Sequence, residues 1–453
     1  MKLSMADPLK RMLLAAALAV GAVTLVLQPG VQADQIPAGW KASGMKAVGY
    51  SDLDGRNGAF KMAIKNVGDK WYLYMGHLWH RGWTIVDVTD PATPKVVKFV
   101  PWPQENTWTI QMEFHDNLMI TALQRAQTGW GGDPNKPFDE GVVLWDISDP
   151  VNPTQLSHWK TGSTGTHRNL YPGGKYAYLA ANMPGFDGQI LVILDVSDPK
   201  NAKEAGRWWM PGQKEGEKSS YPPGSISFHG PPVIEGPRAY LAYGPAFVIL
   251  DISDVSKPKL VGQLTLSPPF KPGGTAVHSV MPIPGKNAVF ANSEAGNEMC
   301  DEPLNHATMI DIKDPARPRL MSVFPVPIPP KSAPYTDFCD KGGRFGPHNT
   351  NHEYHLPEVE KQGDLVYLTY FDAGLRIYNI KDPRQPKEVG WFIPPTPTKR
   401  IGPIPTTKLV TQTEDVLVDR RGNIFITDKQ WGLFVLRYSG PGAGTSSAAR
   451  ARQ

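Results

Sequence analysis

Cysteine is the scarcest reactive residue in this chain, with only Cys300 and Cys339 among 453 residues. In an oxidising compartment such a lone pair reads as a disulfide rather than a thiolate metal site. It would close a loop of about 39 residues, worth roughly 3–4 kcal/mol in the chain-entropy model. No Cys-x-x-Cys-His haem attachment, no phosphate-binding Gly-rich loop with Lys and no Gly-x-Ser-x-Gly elbow occurs. Charge of one sign is also lacking: 47 basic against 43 acidic residues leave a formal +4 without a dense basic run. Nucleic acid is not indicated. Long apolar runs are absent except for Met12–Leu27, which follows Lys2, Lys10 and Arg11 and precedes Val31-Gln32-Ala33. Residues 1–33 therefore read as a signal peptide cleaved before Asp34. The alternative is an uncleaved anchor, since the run approaches the short limit of a membrane span. The mature protein is expected to be periplasmic or secreted, with membrane attachment only through an uncleaved signal.

Proline (45) and glycine (44) are abundant, and they fall at regular turn positions rather than in disordered tracts. Asp372–Pro386 is the pattern: a Gly-led turn, a short β-branched and aromatic strand through Ile377, Tyr378 and Ile380, then an Asp-Pro turn. The phrase recurs at Trp83–Pro94, Val142–Pro153, Leu191–Ala202, Phe247–Pro258 and Met309–Pro318. Its strand ends in Asp87, Asp146, Asp195, Asp251, Asp311 and Asn379 in turn, and Gly432–Tyr438 is a degenerate seventh copy. Spacings of 49–68 residues between copies, each unit built of strands, are the signature of propeller blades with loop insertions. The seventh unit lacks a fourth strand, while Lys46–Tyr50 resembles the fourth-strand sequence Lys387–Trp391. The expected fold is all-β: a seven-bladed β-propeller over residues 34–440, with an N-terminal strand closing the last blade. Residues 441–453 read as a disordered tail.

The phrase Leu191–Pro199, together with Ala373–Tyr378 and Thr427–Leu433, resembles the LVIVD-repeat β-propeller family over roughly residues 40–440. That resemblance implies export and a propeller. It implies no single chemistry, because propellers host many functions.

Histidine carries the functional signal. Aligned on the second strand of each unit, the first inner-strand position is His167, His229, His278, His352 and Glu414 in units three to seven. Units one and two offer residues near Met62 and Gln111 there. Inner strands line the central channel, so four imidazoles and a carboxylate are expected to converge at one mouth. Loops of that face add His77 and His80 in unit one, and His348 and His355 in unit six. Imidazoles without thiolates suit copper or iron, with zinc the lesser fit. One transition metal ion is expected, with His167, His229, His278, His352 and His348 as its candidate ligands. Glu414 would orient a ligand or act as base, with His77 and His80 beside the substrate. His115, His158 and His306 read as structural, and Trp79 and Trp130 as loop residues able to border a pocket. The expected function is a metal-dependent oxidoreductase acting on a small molecule. The alternative is a non-catalytic propeller that binds a protein or cell-surface partner through its loop face, its histidines merely lining a wet channel.

Overall fold

A computed structural model describes residues 34–443 except 57, 223, 267–274, 303–304 and 353–354. The expected leader over residues 1–33 and tail residues 444–453 lie outside the described residues. The chain is built from antiparallel strands, and Phe338–Lys341 is the only helix among the described residues. The third unit shows the plan: Gly165–Leu170, Tyr176–Asn182, Gln189–Asp195 and Lys203–Trp208 pair in sequence order from the inside out. Pairing resolves the described strands into seven such groups. A single pairing, Gly165↔Gln124, fuses the second and third into one nine-stranded sheet. Met45–Ser51 pairs with Gly432–Tyr438, so the N-terminal strand completes the seventh group. The sixth group departs from the plan at both edges. Lys41–Ser43 covers its outer strand Lys387–Ile393, and its inner strand is reduced to the bridge Thr350↔Leu368.

The repeated anchors work as local turn chemistry. Each of Asp87, Asp146, Asp195, Asp251, Asp311 and Asn379 accepts the backbone N–H two residues later at 2.8–3.0 Å. These are Asx turns, which end the strand and reverse the chain. The turns also dock the units on one another. A Cβ at Gly206 would lie 1.9 Å from the carbonyl oxygen of Val255, in the next unit's turn. One at Gly49 would meet Pro91 O at 2.1 Å, the equivalent contact between the seventh and first units. Glycine is required there for close approach, not for its backbone angles.

Central strands are apolar throughout because both of their faces are covered, as in Ile190–Leu194 and Phe247–Leu250. The core accordingly lies between sheets. Separate clusters join units three and four through Ile193 and Leu241, and units six and seven through Ile377 and Phe434. Another joins the seventh unit (Leu417, Phe425) to the first (Met62, Leu73, Ile85) and second (Met112, Phe114). Packing thus closes the ring where backbone pairing alone does not.

One buried carboxylate carries a pH signature. Glu360 lies against the seventh unit, its N–H donating to Val418 O at 2.8 Å and its carboxylate accepting from Tyr367 Oη at 3.2 Å. Burial raises its pKa from 4.5 to about 7. Between those values the folded protein holds a proton that the unfolded chain has lost, so stability falls as pH rises through this window. Glu360→Gln keeps the acceptor and removes the buried charge. It is expected to add roughly 2–3 kcal/mol at pH 8 and little at pH 4. Urea unfolding at the two pH values checks this, and an equal effect at both would refute it.

Candidate metal centre at the channel mouth

Four histidines meet at one end of the inner strands. His167 belongs to Gly165–Leu170 and His278 to Thr275–Ile283. His229 directly follows the bridge Phe228↔Tyr243 and donates its N–H to Ala242 O at 3.0 Å. His348 donates its N–H to Thr369 O at 2.9 Å. Inner-strand pairing is irregular at three of the matching positions, between Thr166 and Asn169, Thr275 and Ser279, and Thr413 and Asp415. Such bulges re-aim a side chain out of the pleat, which here turns His167 and His278 toward the channel and Glu414 toward His348 and Arg344.

The imidazoles form a continuous arc. Ring centroids are 4.7 Å apart for His167–His229, 4.1 Å for His229–His278 and 4.7 Å for His278–His348. Glu294, the last residue of strand Ala288–Glu294, points its carboxylate into this arc. Its oxygens lie 3.8 Å from His229 Nε2, 3.5 Å from His278 Nε2 and 3.7 Å from His348 Nε2. These contacts are too long for hydrogen bonds. They match the separation of roughly 3.4 Å between two ligands bound at about 2.1 Å to one tetrahedral ion. Ligand atoms of His229, His278 and Glu294 all fall within 4.8 Å of one another.

The opposite ring nitrogens of three of the four are hydrogen-bonded. His167 Nδ1 faces Gln124 Oε1 at 2.6 Å, His348 Nδ1 faces Glu414 O at 2.7 Å and His278 Nδ1 faces Ser279 Oγ at 2.8 Å. His229 Nδ1 is 3.5 Å from Gly230 O. Carbonyl and amide oxygens can only accept, so at His167 and His348 they place the proton on Nδ1 and leave Nε2 as the lone-pair donor. Burial and the nearby Arg168 hold the His167 pKa at about 3. Burial likewise pulls His229, His278 and His348 far below the ordinary range. All four are therefore neutral at physiological pH, the form that ligates.

A buried charge network backs the arc. Arg344 pairs with Glu294 Oε1 at 3.0 Å and Glu414 Oε1 at 3.3 Å, and Lys429 Nζ is in direct contact with Glu414. Burial, then Arg344, pulls the Lys429 ammonium pKa down, while Glu294 pulls the other way. The Arg344 guanidinium also stacks on Phe371 at 3.8 Å and Trp130 at 4.8 Å. The disulfide Cys300–Cys339 holds the two loops that meet here, with Met299 N–H donating to Gly343 O at 2.7 Å beside Arg344.

Two cavities open on the arc and share His167 and His229. One, of about 320 Å³, sets Phe60, Leu78, Trp108, Ile110 and Trp130 opposite the imidazoles. The other, of about 370 Å³, is walled by Gln124, Gln127, Thr164, Asn182, Gln189 and Ser227.

The structure separates several residues that the sequence alignment grouped. His348, not His352, occupies the channel-mouth position of the sixth unit. His352 follows the bridge Thr350↔Leu368, its N–H donating to Thr350 O at 2.9 Å. It lines a small cavity of about 20 Å³ with His355, Glu113 and Leu170. The alignment slipped because the sixth inner strand is reduced to one bridge, which leaves no strand pattern to set the register. His77 is buried against Thr84 Oγ1 at 2.7 Å and Phe99, and neither it nor His80 lines either of the two cavities on the arc. Glu414 sits behind His348 rather than in the arc. Trp130 borders the aromatic cavity. Sequence reasoning did not single out Glu294, Arg344, Arg168 or Lys429. The available signal was a charged residue closing or interrupting an otherwise uncharged strand, as in Ala288–Glu294.

The LVIVD repeat model matches residues 165–208 and 233–265, which are the third unit and the paired strands of the fourth. This chain carries LVIVD repeats. No curated protein matches it. Among solved structures it is similar to the periplasmic gluconolactonase PpgL of Pseudomonas aeruginosa, at 11% identity over 84% of this chain and 97% of that one, with a TM-score of 0.50. A protein from Lactobacillus plantarum is 11% identical over 84% of this chain and 96% of its own, with a TM-score of 0.47. YCF48 bound to D1 peptide is 8% identical over 91% and 99%, also at 0.47. At these identities the likeness to the first concerns the propeller fold alone.

Proposed function

From a propeller that carries LVIVD repeats and gathers four neutral imidazoles at its channel mouth, we propose an exported, metal-dependent oxidoreductase acting on a small molecule. Nε2 of His229, His278 and His348 and the Glu294 carboxylate would hold one ion, with His167 at the edge of the site. The observation that carries this reading is the set of three Nε2 atoms at 3.5–3.8 Å from one carboxylate. A nitrogen-rich, thiolate-free ligand set fits copper or iron. Such an ion, when bound, supplies electron transfer to or from a substrate placed against it.

The remaining residues position and insulate the site. Glu414 fixes His348 through its backbone carbonyl, and Arg344 holds the Glu294 carboxylate in place. Trp108 and Trp130 form one side of the cavity. Export follows from the leader-like N-terminus, and N-terminal sequencing of the exported fraction is expected to begin at Asp34.

The decisive experiment is metal analysis of residues 34–453 purified without a tag or chelator. About one copper or iron per chain is expected. No stoichiometric metal, even after reconstitution, would overturn the enzyme reading and leave a propeller that binds a partner through its loop face.

A further inference from the structure

The two cavities differ in chemistry, and they meet at the imidazoles. Across from the imidazoles, Arg168, Glu294 and Arg344, the wall of the first is apolar and largely aromatic, with Trp108 and Trp130 in an edge-to-face pair whose centroids are 6.0 Å apart. Flat apolar groups gain burial and ring contacts against such a wall. The second wall is built from side-chain amides and hydroxyls, which both donate and accept. Its one formally charged side chain, Arg125, stacks on Phe138 at 5.5 Å, and no carboxylate lines it. A cation entering there would lose water without gaining a counter-ion, whereas neutral hydroxyls would be matched by the amides and hydroxyls of the wall. Each cavity, at about 320 and 370 Å³, is the size of a small-molecule site.

We propose that the substrate is an arene joined to a neutral, hydroxyl-bearing group. The ring lies against Trp108 and Trp130, the polar part reaches Asn182 and Gln189, and the linkage crosses His167 and His229. This deepens the preceding reading and rests on it for the chemistry, though not for the binding.

The test measures affinity for 4-nitrophenyl β-D-glucopyranoside, 4-nitrophenol and methyl β-D-glucopyranoside, using the mature protein with its metal and after treatment with EDTA. The conjugate is expected to bind at least about tenfold tighter than the better of its halves, because one binding event fills both cavities. Trp130→Ala is expected to weaken the arene and the conjugate about tenfold. Gln189→Ala should weaken only the conjugate and the sugar. If Trp130→Ala does not fold, Trp130→Leu keeps apolar volume without the ring and is read in its place. A conjugate that binds no tighter than its halves overturns the proposal, as does one indifferent to both substitutions. Conjugate binding to a protein that never holds metal supports this substrate class while the oxidoreductase reading falls. Bound metal without conjugate binding sinks the proposal and leaves that reading standing.

Discussion

Replacing His278 by alanine is expected to lower bound metal from about one ion per chain to under about a tenth of that, a loss of roughly 100-fold or more in affinity. His278 is the middle of the arc, with His229 at 4.1 Å and His348 at 4.7 Å, and its Nε2 makes the shortest approach to Glu294, 3.5 Å. Removing it takes away one ligand and the spacer between two others. His348→Ala is expected to behave alike. His352→Ala should keep its metal, because its ring lies with His355 and Glu113 in a separate cavity. Elemental analysis of the three purified variants, with circular dichroism to show retained folding, separates the outcomes. Loss of metal in His352→Ala and its retention in His348→Ala would refute the site described above.

The second large effect concerns the charges behind the arc. Glu414 is fully buried, touches Lys429, lies 3.3 Å from Arg344 and 3.4 Å from His348 Nδ1. Glu414→Gln preserves its shape and removes its charge. Arg344 then keeps Glu294 and the Ala295 carbonyl, and Lys429 loses the carboxylate in direct contact with it. Breaking a buried pair in this way costs about 3–5 kcal/mol. Removing both partners leaves no orphaned charge, so Glu414→Gln/Lys429→Met is expected to recover most of that loss. Denaturant unfolding of the two single variants and the double variant gives the cycle directly. A double variant less stable than Glu414→Gln would mean that Lys429 is needed for something other than neutralising Glu414.

The Asp and Asn anchors were legible because an Asx turn is a local device. Asp195 and Ser197 need only each other, so the pattern survives in one dimension. The apolar central strands were equally readable, since a strand buried on both faces has to be apolar at every position. The closing N-terminal strand followed from a missing fourth strand in the last unit and a matching sequence at residues 46–50. His167, His229 and His278 were found because their units keep a recognisable second strand to align on.

Where local pattern fails, the sequence misleads. Three histidines within eight residues of the sixth unit were interchangeable on paper, and only the bridge at Thr350 assigns His348 to the mouth and His352 to the interior. Glu294 and Arg344 are 50 residues apart and lie in segments with no shared motif, yet they pair at 3.0 Å. Alone, the sequence determined the repeat, its turns and the register of three histidines, because hydrogen bonds and periodicity over a few residues encode each of these. Only the tertiary structure decided which carboxylate faces the imidazoles and which histidine completes the arc. Those contacts arise from closing the ring, which brings together side chains that no local rule relates.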